Sequence, residues 1–146
     1  MNFSNKLIDW YNSNKRDLPW RRTKDPYKIW VSEIILQQTR IEQGEKYYHK
    51  FLNKYPNITS LSNTNNNELL KIWEGLGYYS RALNMLKTAV IVVDKYQGIF
   101  PSTYNELINL PGIGDYTASA ISSICKNEVQ PVVDGNVLRF LSRLYK

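Results

Sequence analysis

The 146-residue chain carries 19 Lys and Arg against 13 Asp and Glu, a formal net charge of +6, and 42% of its residues are hydrophobic. This length suits one domain with a buried core, and the basic excess favours a polyanionic partner, because phosphate contacts dominate nucleic-acid affinity. The single cysteine, Cys125, excludes an internal disulfide and any multi-cysteine metal site within the chain.

The opening Met-Asn-Phe-Ser-Asn-Lys lacks the apolar core of a signal peptide, and no apolar run approaches membrane-spanning length. A cytoplasmic protein without membrane contact is expected. In chain order, Ser4 can cap a short helix through Trp10 and Tyr11. Asp25-Pro26 is a start signal, with Asp as N-cap and Pro in the first turn, and the helix it opens is predicted over residues 27–39. A further helix is predicted over Ile41–Lys54, ended by Pro56. Residues 57–67 hold five Asn with Ser and Thr, and read as a loop carrying a helix cap. Ser80–Tyr96 has Leu83, Leu86, Val90 and Val93 at helical spacing, with Gly98 as a stop. Helices over 104–109, 116–125 and 136–145 complete the set. Cys125 closes the apolar run 121–125 and reads as a small buried hydrophobe. With no internal repeat and no strand alternation beyond Val132-Val133, the fold class is all-α.

Three features carry chemistry. Leu110-Pro111-Gly112-Ile113-Gly114 joins two predicted helices; its glycines permit positive φ and close backbone approach, and N–H groups at the start of the next helix can hold a phosphate. The other reading is an ordinary tight turn. Glu33 sits in a helix that is otherwise apolar (Ile29, Val31, Ile34, Ile35, Leu36), with Gln37 and Arg40 following at i+4 and i+7. Burial raises a carboxyl pKa, as a general acid at neutral pH requires; the alternative is an ion pair with Arg40. Asp134 opens Asp-Gly-Asn-Val before the last helix, where it is an N-cap by position. Two carboxyls serving sugar-bond hydrolysis would divide the work between a protonated and an ionised form, but taken by itself Asp134 reads as the N-cap.

Four blocks, in order, resemble the signature of the adenine DNA glycosylases, members of the helix-hairpin-helix, endonuclease III-like superfamily. They are Leu18-Pro19-Trp20-Arg21 with Pro26-Tyr27-Lys28-Ile29-Trp30-Val31-Ser32-Glu33-Ile34-Ile35-Leu36-Gln37-Gln38-Thr39; Trp73-Glu74-Gly75-Leu76-Gly77-Tyr78-Tyr79-Ser80-Arg81-Ala82; the hairpin Leu110-Pro111-Gly112-Ile113-Gly114; and Val133-Asp134-Gly135-Asn136-Val137. The resemblance implies a helix-hairpin-helix glycosylase fold of the six-helix barrel type. It implies removal of adenine mispaired with 8-oxoguanine or guanine from double-stranded DNA, by a monomer working at the nucleoid.

Residue by residue, the resemblance makes Glu33 the acid that protonates the adenine ring. Asp134 stabilises the sugar cation, and Asn136 orients the catalytic groups. Tyr116 stands where the related lyases carry a Schiff-base Lys, which implies a monofunctional enzyme. Trp20 and Arg21 match the adenine pocket. Gln37, Gln38 and Tyr78 match positions that enter the base stack or contact bases around the lesion, where an extruded base leaves a gap to fill. Leu110, Gly112, Ile113 and Gly114 match the hairpin that holds DNA phosphate and, in related families, a monovalent cation. Arg81 reads as a phosphate contact or simple surface charge.

The family also carries four cysteines that bind a four-iron, four-sulfur cluster, and usually a Nudix-like domain. Neither is present here: residues 1–146 are expected to be a glycosylase catalytic domain cut short of the cluster segment, with no metal ligands of its own. The helix around Trp10 and the final helix are then expected to lack packing partners. The alternative function is a shortened helix-hairpin-helix DNA-binding protein with little catalysis. A plain helical binding module has no need of Glu33, Asp134, Asn136 and Tyr116 together.

Overall fold

The computed structural model describes residues 2–146, and among these residues the regular structure is entirely helical. The helices are α1 (Phe3–Asn14), α2 (Pro26–Leu36), α3 (Ile41–Lys54), α4 (Ile58–Ser62), α5 (Asn66–Trp73), α6 (Ser80–Tyr96), α7 (Tyr104–Leu107), α8 (Asp115–Lys126) and α9 (Gly135–Leu144), with one turn of 3-10 helix at Pro19–Arg21. No described helix is long and apolar enough to cross a membrane.

Helix α2 is the axis of the molecule. Tyr27, Ile29, Trp30, Val31, Ile34 and Ile35 are all buried, which places apolar groups around nearly its whole circumference. Such a helix must be surrounded, and α3, α8 and the 3-10 turn pack on it. Asp25 starts it as expected, accepting from the N–H groups of Tyr27 (2.9 Å) and Lys28 (3.4 Å). Helices α4 and α5 pack on α6, and α7 on α8.

Several boundaries differ from expectation. Helix α1 is capped by Asn2, whose side chain accepts from Ser4 N–H, rather than by Ser4 itself. The Asn-rich segment is no simple loop. Asn57 and Ser60 form a reciprocal capping box that opens α4, and Asn65 accepts from Glu68 N–H to open α5. Helix α2 stops at Leu36, short of Thr39, and Gln38 enters the left-handed region at φ 58°. Arg40 therefore lies off that helix, as the residue preceding α3. Neither α1 nor α9 buries a residue; Trp10 is 61% exposed, and the two helices touch through a Phe3–Phe140 ring stack.

Candidate active site

A cavity of about 720 Å³ opens where α2, α8, the start of α9 and the 3-10 turn converge, and Glu33, Asp134, Asn136, Tyr116, Trp20, Arg21, Gln37 and Gln38 all line it. Residues separated by more than a hundred positions thus share one pocket.

Glu33 projects from the apolar axis helix and is largely buried. Among the described residues its carboxyl has no hydrogen-bond or ion-pair partner, so the expected alternative of a pair with Arg40 is absent. Desolvation with nothing to offset it pushes the carboxyl up to about 7.

Asp134 has the opposite surroundings. Its Oδ1 accepts from Val137 N–H at 2.8 Å and its Oδ2 from the Asn136 amide at 3.2 Å. The Val137 backbone bond is the main reason its carboxyl lies below the ordinary Asp value, with the Asn136 amide adding to it. The N-cap and ionised-carboxylate readings of Asp134 are one geometry: the cap is what holds the charge. Asn136 in turn accepts from Arg139 Nη1 at 3.1 Å, which orients its amide.

Tyr116, in the first turn of α8, is 40% exposed. Burial, then the charges of Glu33 and Asp134, push its phenol up to about 12, so it stays a neutral donor at neutral pH. Trp20 is both wall and core: it is buried, and it meets Tyr48 edge to face at 5.4 Å. Arg21 lies over the Tyr11 ring and donates to Arg16 O.

The remaining expected site residues lie outside this cavity. Tyr78 is 65% exposed and left-handed (φ 48°), so it is not a core aromatic. At the hairpin, the Leu110 and Ile113 side chains are buried in the core, so neither is free to meet a ligand. Gly112 has φ 75°, and a Cβ on it would lie 2.9 Å from Asn84 Cβ. Thr88 Oγ1 donates to Pro111 O at 2.9 Å, tying the hairpin to α6. Gly114 precedes α8, with open space where its side chain would be.

Sequence reasoning missed Tyr11, Lys24 and Ile124 as lining residues, since no local pattern marks them. It also misread Arg81. This side chain donates to the carbonyls of Ile34, Gln37, Leu76 and Gly77, so it is an internal clamp rather than free surface charge.

A four-thiolate cluster does not fit the residues present. Cys125 is the only cysteine in the sequence. It is half-buried, with its thiol pushed up to about 11 by burial. No group of three or more His, Cys, Asp or Glu among the described residues could hold a metal.

Residues 31–146 match the HhH-GPD superfamily base excision DNA repair protein family, and the chain belongs to that family. It is 46% identical over 144 residues to the adenine DNA glycosylase of Buchnera aphidicola subsp. Acyrthosiphon pisum (strain APS), covering 98% of this chain and 41% of that protein. It is 41% identical over 151 residues to the adenine DNA glycosylase of Homo sapiens, covering 97% of this chain and 28% of the relative. The chain thus spans under half the length of these relatives. In structure it resembles a thermostable thymine-DNA glycosylase, with TM-score 0.88, 31% identity, and coverage of 95% of this chain and 64% of that one. A trapped endonuclease III–DNA covalent intermediate shares the fold, with TM-score 0.83, 23% identity, and coverage of 96% and 65%.

Proposed function

We propose that residues 1–146 form the catalytic, DNA-binding part of a monofunctional adenine DNA glycosylase acting on adenine opposite 8-oxoguanine or guanine in duplex DNA. One observation carries this reading: a single cavity holds a carboxyl that titrates near neutrality, Glu33, together with one held ionised, Asp134. That division suits cleavage of a glycosidic bond.

In this mechanism the adenine leaves the stack and enters the cavity, because a base inside a duplex is out of reach. Protonated Glu33 donates to a ring nitrogen. The C1′–N9 bond breaks, its electron pair leaves with the base, and positive charge develops on the sugar. Asp134 stabilises that charge while Asn136 fixes its orientation. Water adds to C1′ and releases a proton, leaving an abasic site and free adenine. Tyr116 has no amine to form a Schiff base, so strand cleavage is not expected. Gln37, Gln38 and Tyr78 occupy the space around the extruded base. The backbone N–H groups of Gly112 and Gly114 hold a phosphate, the Ile113 N–H being taken by Leu110 O, with a monovalent cation on the hairpin carbonyls.

A second reading has one observation in its favour: α9, which Asp134 caps and which carries Asn136, buries no residue. On that reading the chain binds duplex DNA but catalyses poorly. A single-turnover assay at low salt separates the two. The chain, in excess, is mixed with a duplex holding adenine opposite 8-oxoguanine, and abasic sites are revealed by alkali. Adenine release that is lost in Glu33→Gln supports the glycosylase; binding without release supports the second reading.

A further inference from the structure

Four non-glycine residues among those described lie in the left-handed region; Gln97 and Asn127 are helix C-caps, and the other two sit in turns. Gln38 (φ 58°) follows the abrupt end of α2, and Tyr78 (φ 48°) precedes α6; both are non-glycine residues in the left-handed region. Such strain persists only where the surroundings over-determine it. No glycine or proline within residues 36–39 forces α2 to stop there.

One side chain reaches both turns. Arg81 Nη1 donates to Ile34 O (2.8 Å) and Gln37 O (2.7 Å), carbonyls at the C-terminal end of α2. Its Nη2 donates to Leu76 O and Gly77 O, each at 3.2 Å, in the turn that leads to Tyr78. The guanidinium lies 5.2 Å from the ring centroid of Trp73, which is wholly buried, and 5.7 Å from that of Tyr78. The fork is therefore seated on the core, with one prong in each turn. A cavity of about 80 Å³ lies between Gln37, Arg81, Asn84 and Gly112, so the clamp also borders the hairpin. Both terminal nitrogens of Arg81 are engaged by backbone carbonyls, and Nε is buried. This leaves the group poorly placed to neutralise a DNA phosphate.

We propose that Arg81 is a positioning residue that locks the turn bearing Gln37 and Gln38 to the turn bearing Tyr78, so that the side chains meeting DNA around the extruded adenine are held in one geometry. The inference rests on the glycosylase reading of those three residues. Its chemistry requires arginine. A planar fork can serve two pairs of carbonyls at once, whereas the compact ammonium of lysine keeps the charge but cannot span both.

The test compares the full chain with Arg81→Lys, and with Arg81→Gln where the lysine variant does not fold, as judged by circular dichroism. Three readouts are needed. Amide exchange in the free protein follows Thr39 and Leu76, whose N–H groups bond Leu36 O and Trp73 O in the two turns. Single-turnover adenine release is measured from two duplexes, one with adenine opposite 8-oxoguanine and one with adenine opposite an abasic site, where less extrusion work is needed. Salt dependence of binding is measured on undamaged duplex.

The clamp predicts loss of protection in both turns together and a roughly 10- to 100-fold slower release from the mispair. It also predicts a several-fold smaller loss from the unpaired adenine and an unchanged salt slope. Full activity in Arg81→Lys overturns it, and so does equal loss on both duplexes accompanied by a shallower salt slope, the mark of a phosphate contact. A parent chain that releases adenine from neither duplex sinks the glycosylase reading instead. Exchange then still decides the clamp: paired loss of protection supports it, and unchanged protection overturns it.

Discussion

Glu33 and Asp134 line the same cavity, yet their surroundings drive their carboxyls in opposite directions. Glu33 is buried without a partner and titrates near 7, while Asp134 accepts from the Val137 N–H and the Asn136 amide and is held below its ordinary range. An acid and an ionised carboxylate therefore coexist at neutral pH without direct coupling between them. The difference comes from where the chain places them, in the side of an apolar helix and at the start of an amphipathic one.

The raised Glu33 value has a consequence for stability. Its folded-state pKa lies above the unfolded value of 4.5, so the folded protein binds the proton more tightly. Stability from this group is complete below about pH 4.5 and is lost as pH rises through about 7. Glu33→Gln should therefore be more stable than the parent at pH 8, by roughly 1–3 kcal/mol, with the gap closing near pH 5. Urea denaturation at the two pH values checks this. A parent that is more stable than the variant at pH 8 would mean that Glu33 has an ionic partner.

Asp134→Asn separates the cap from the charge. Asn is as good an N-cap as Asp, so the bond from Val137 N–H should survive and the change in stability should stay within about 0.5 kcal/mol. Without the negative charge, single-turnover adenine release should drop by roughly 100-fold or more. Thermal melts alongside the kinetics test both halves. A large drop in melting temperature with normal release would assign Asp134 to structure alone.

The two hairpin glycines should respond differently to alanine. At Gly112 the left-handed φ of 75° and the 2.9 Å approach to Asn84 Cβ predict destabilisation by about 1–3 kcal/mol. At Gly114 no atom lies within 4 Å of the added carbon. Gly114 is the N-cap of α8, a position that disfavours Ala, so Gly114→Ala should cost at most about 1 kcal/mol yet weaken duplex binding, because the methyl would stand between backbone and phosphate. Fluorescence anisotropy on a labelled duplex measures this, and unaltered affinity would remove the hairpin from the DNA interface.

How much was legible in the sequence follows from how local each signal is. Asp25-Pro26 starts α2 where expected, and Ile41–Lys54 and Ser80–Tyr96 hold to the residue, because caps, prolines and apolar spacing lie within a few positions of what they control. The end of α2 was not legible: the side chain that bonds the carbonyls there, Arg81, arrives from 44 and 47 residues away in sequence. The Arg81 role was hidden for the same reason. The exposure and left-handed backbone of Tyr78 were not legible because an aromatic beside glycines says nothing of its φ, and Leu110 and Ile113 carry burial that a motif match does not reveal. For the site, Glu33 stood out locally as a carboxyl in an apolar helix. Its union with Asp134, Tyr116 and Trp20 came only from the resemblance and from the folded cavity.

The most direct test of the central claim is the pH profile of single-turnover adenine release from a duplex with adenine opposite 8-oxoguanine, for the parent chain and Glu33→Gln. The parent rate should be level in mild acid and fall above about pH 7, where Glu33 loses its proton, with no measurable release by the variant. Release by Glu33→Gln at the parent's rate, or a parent rate indifferent to pH across that range, would contradict it.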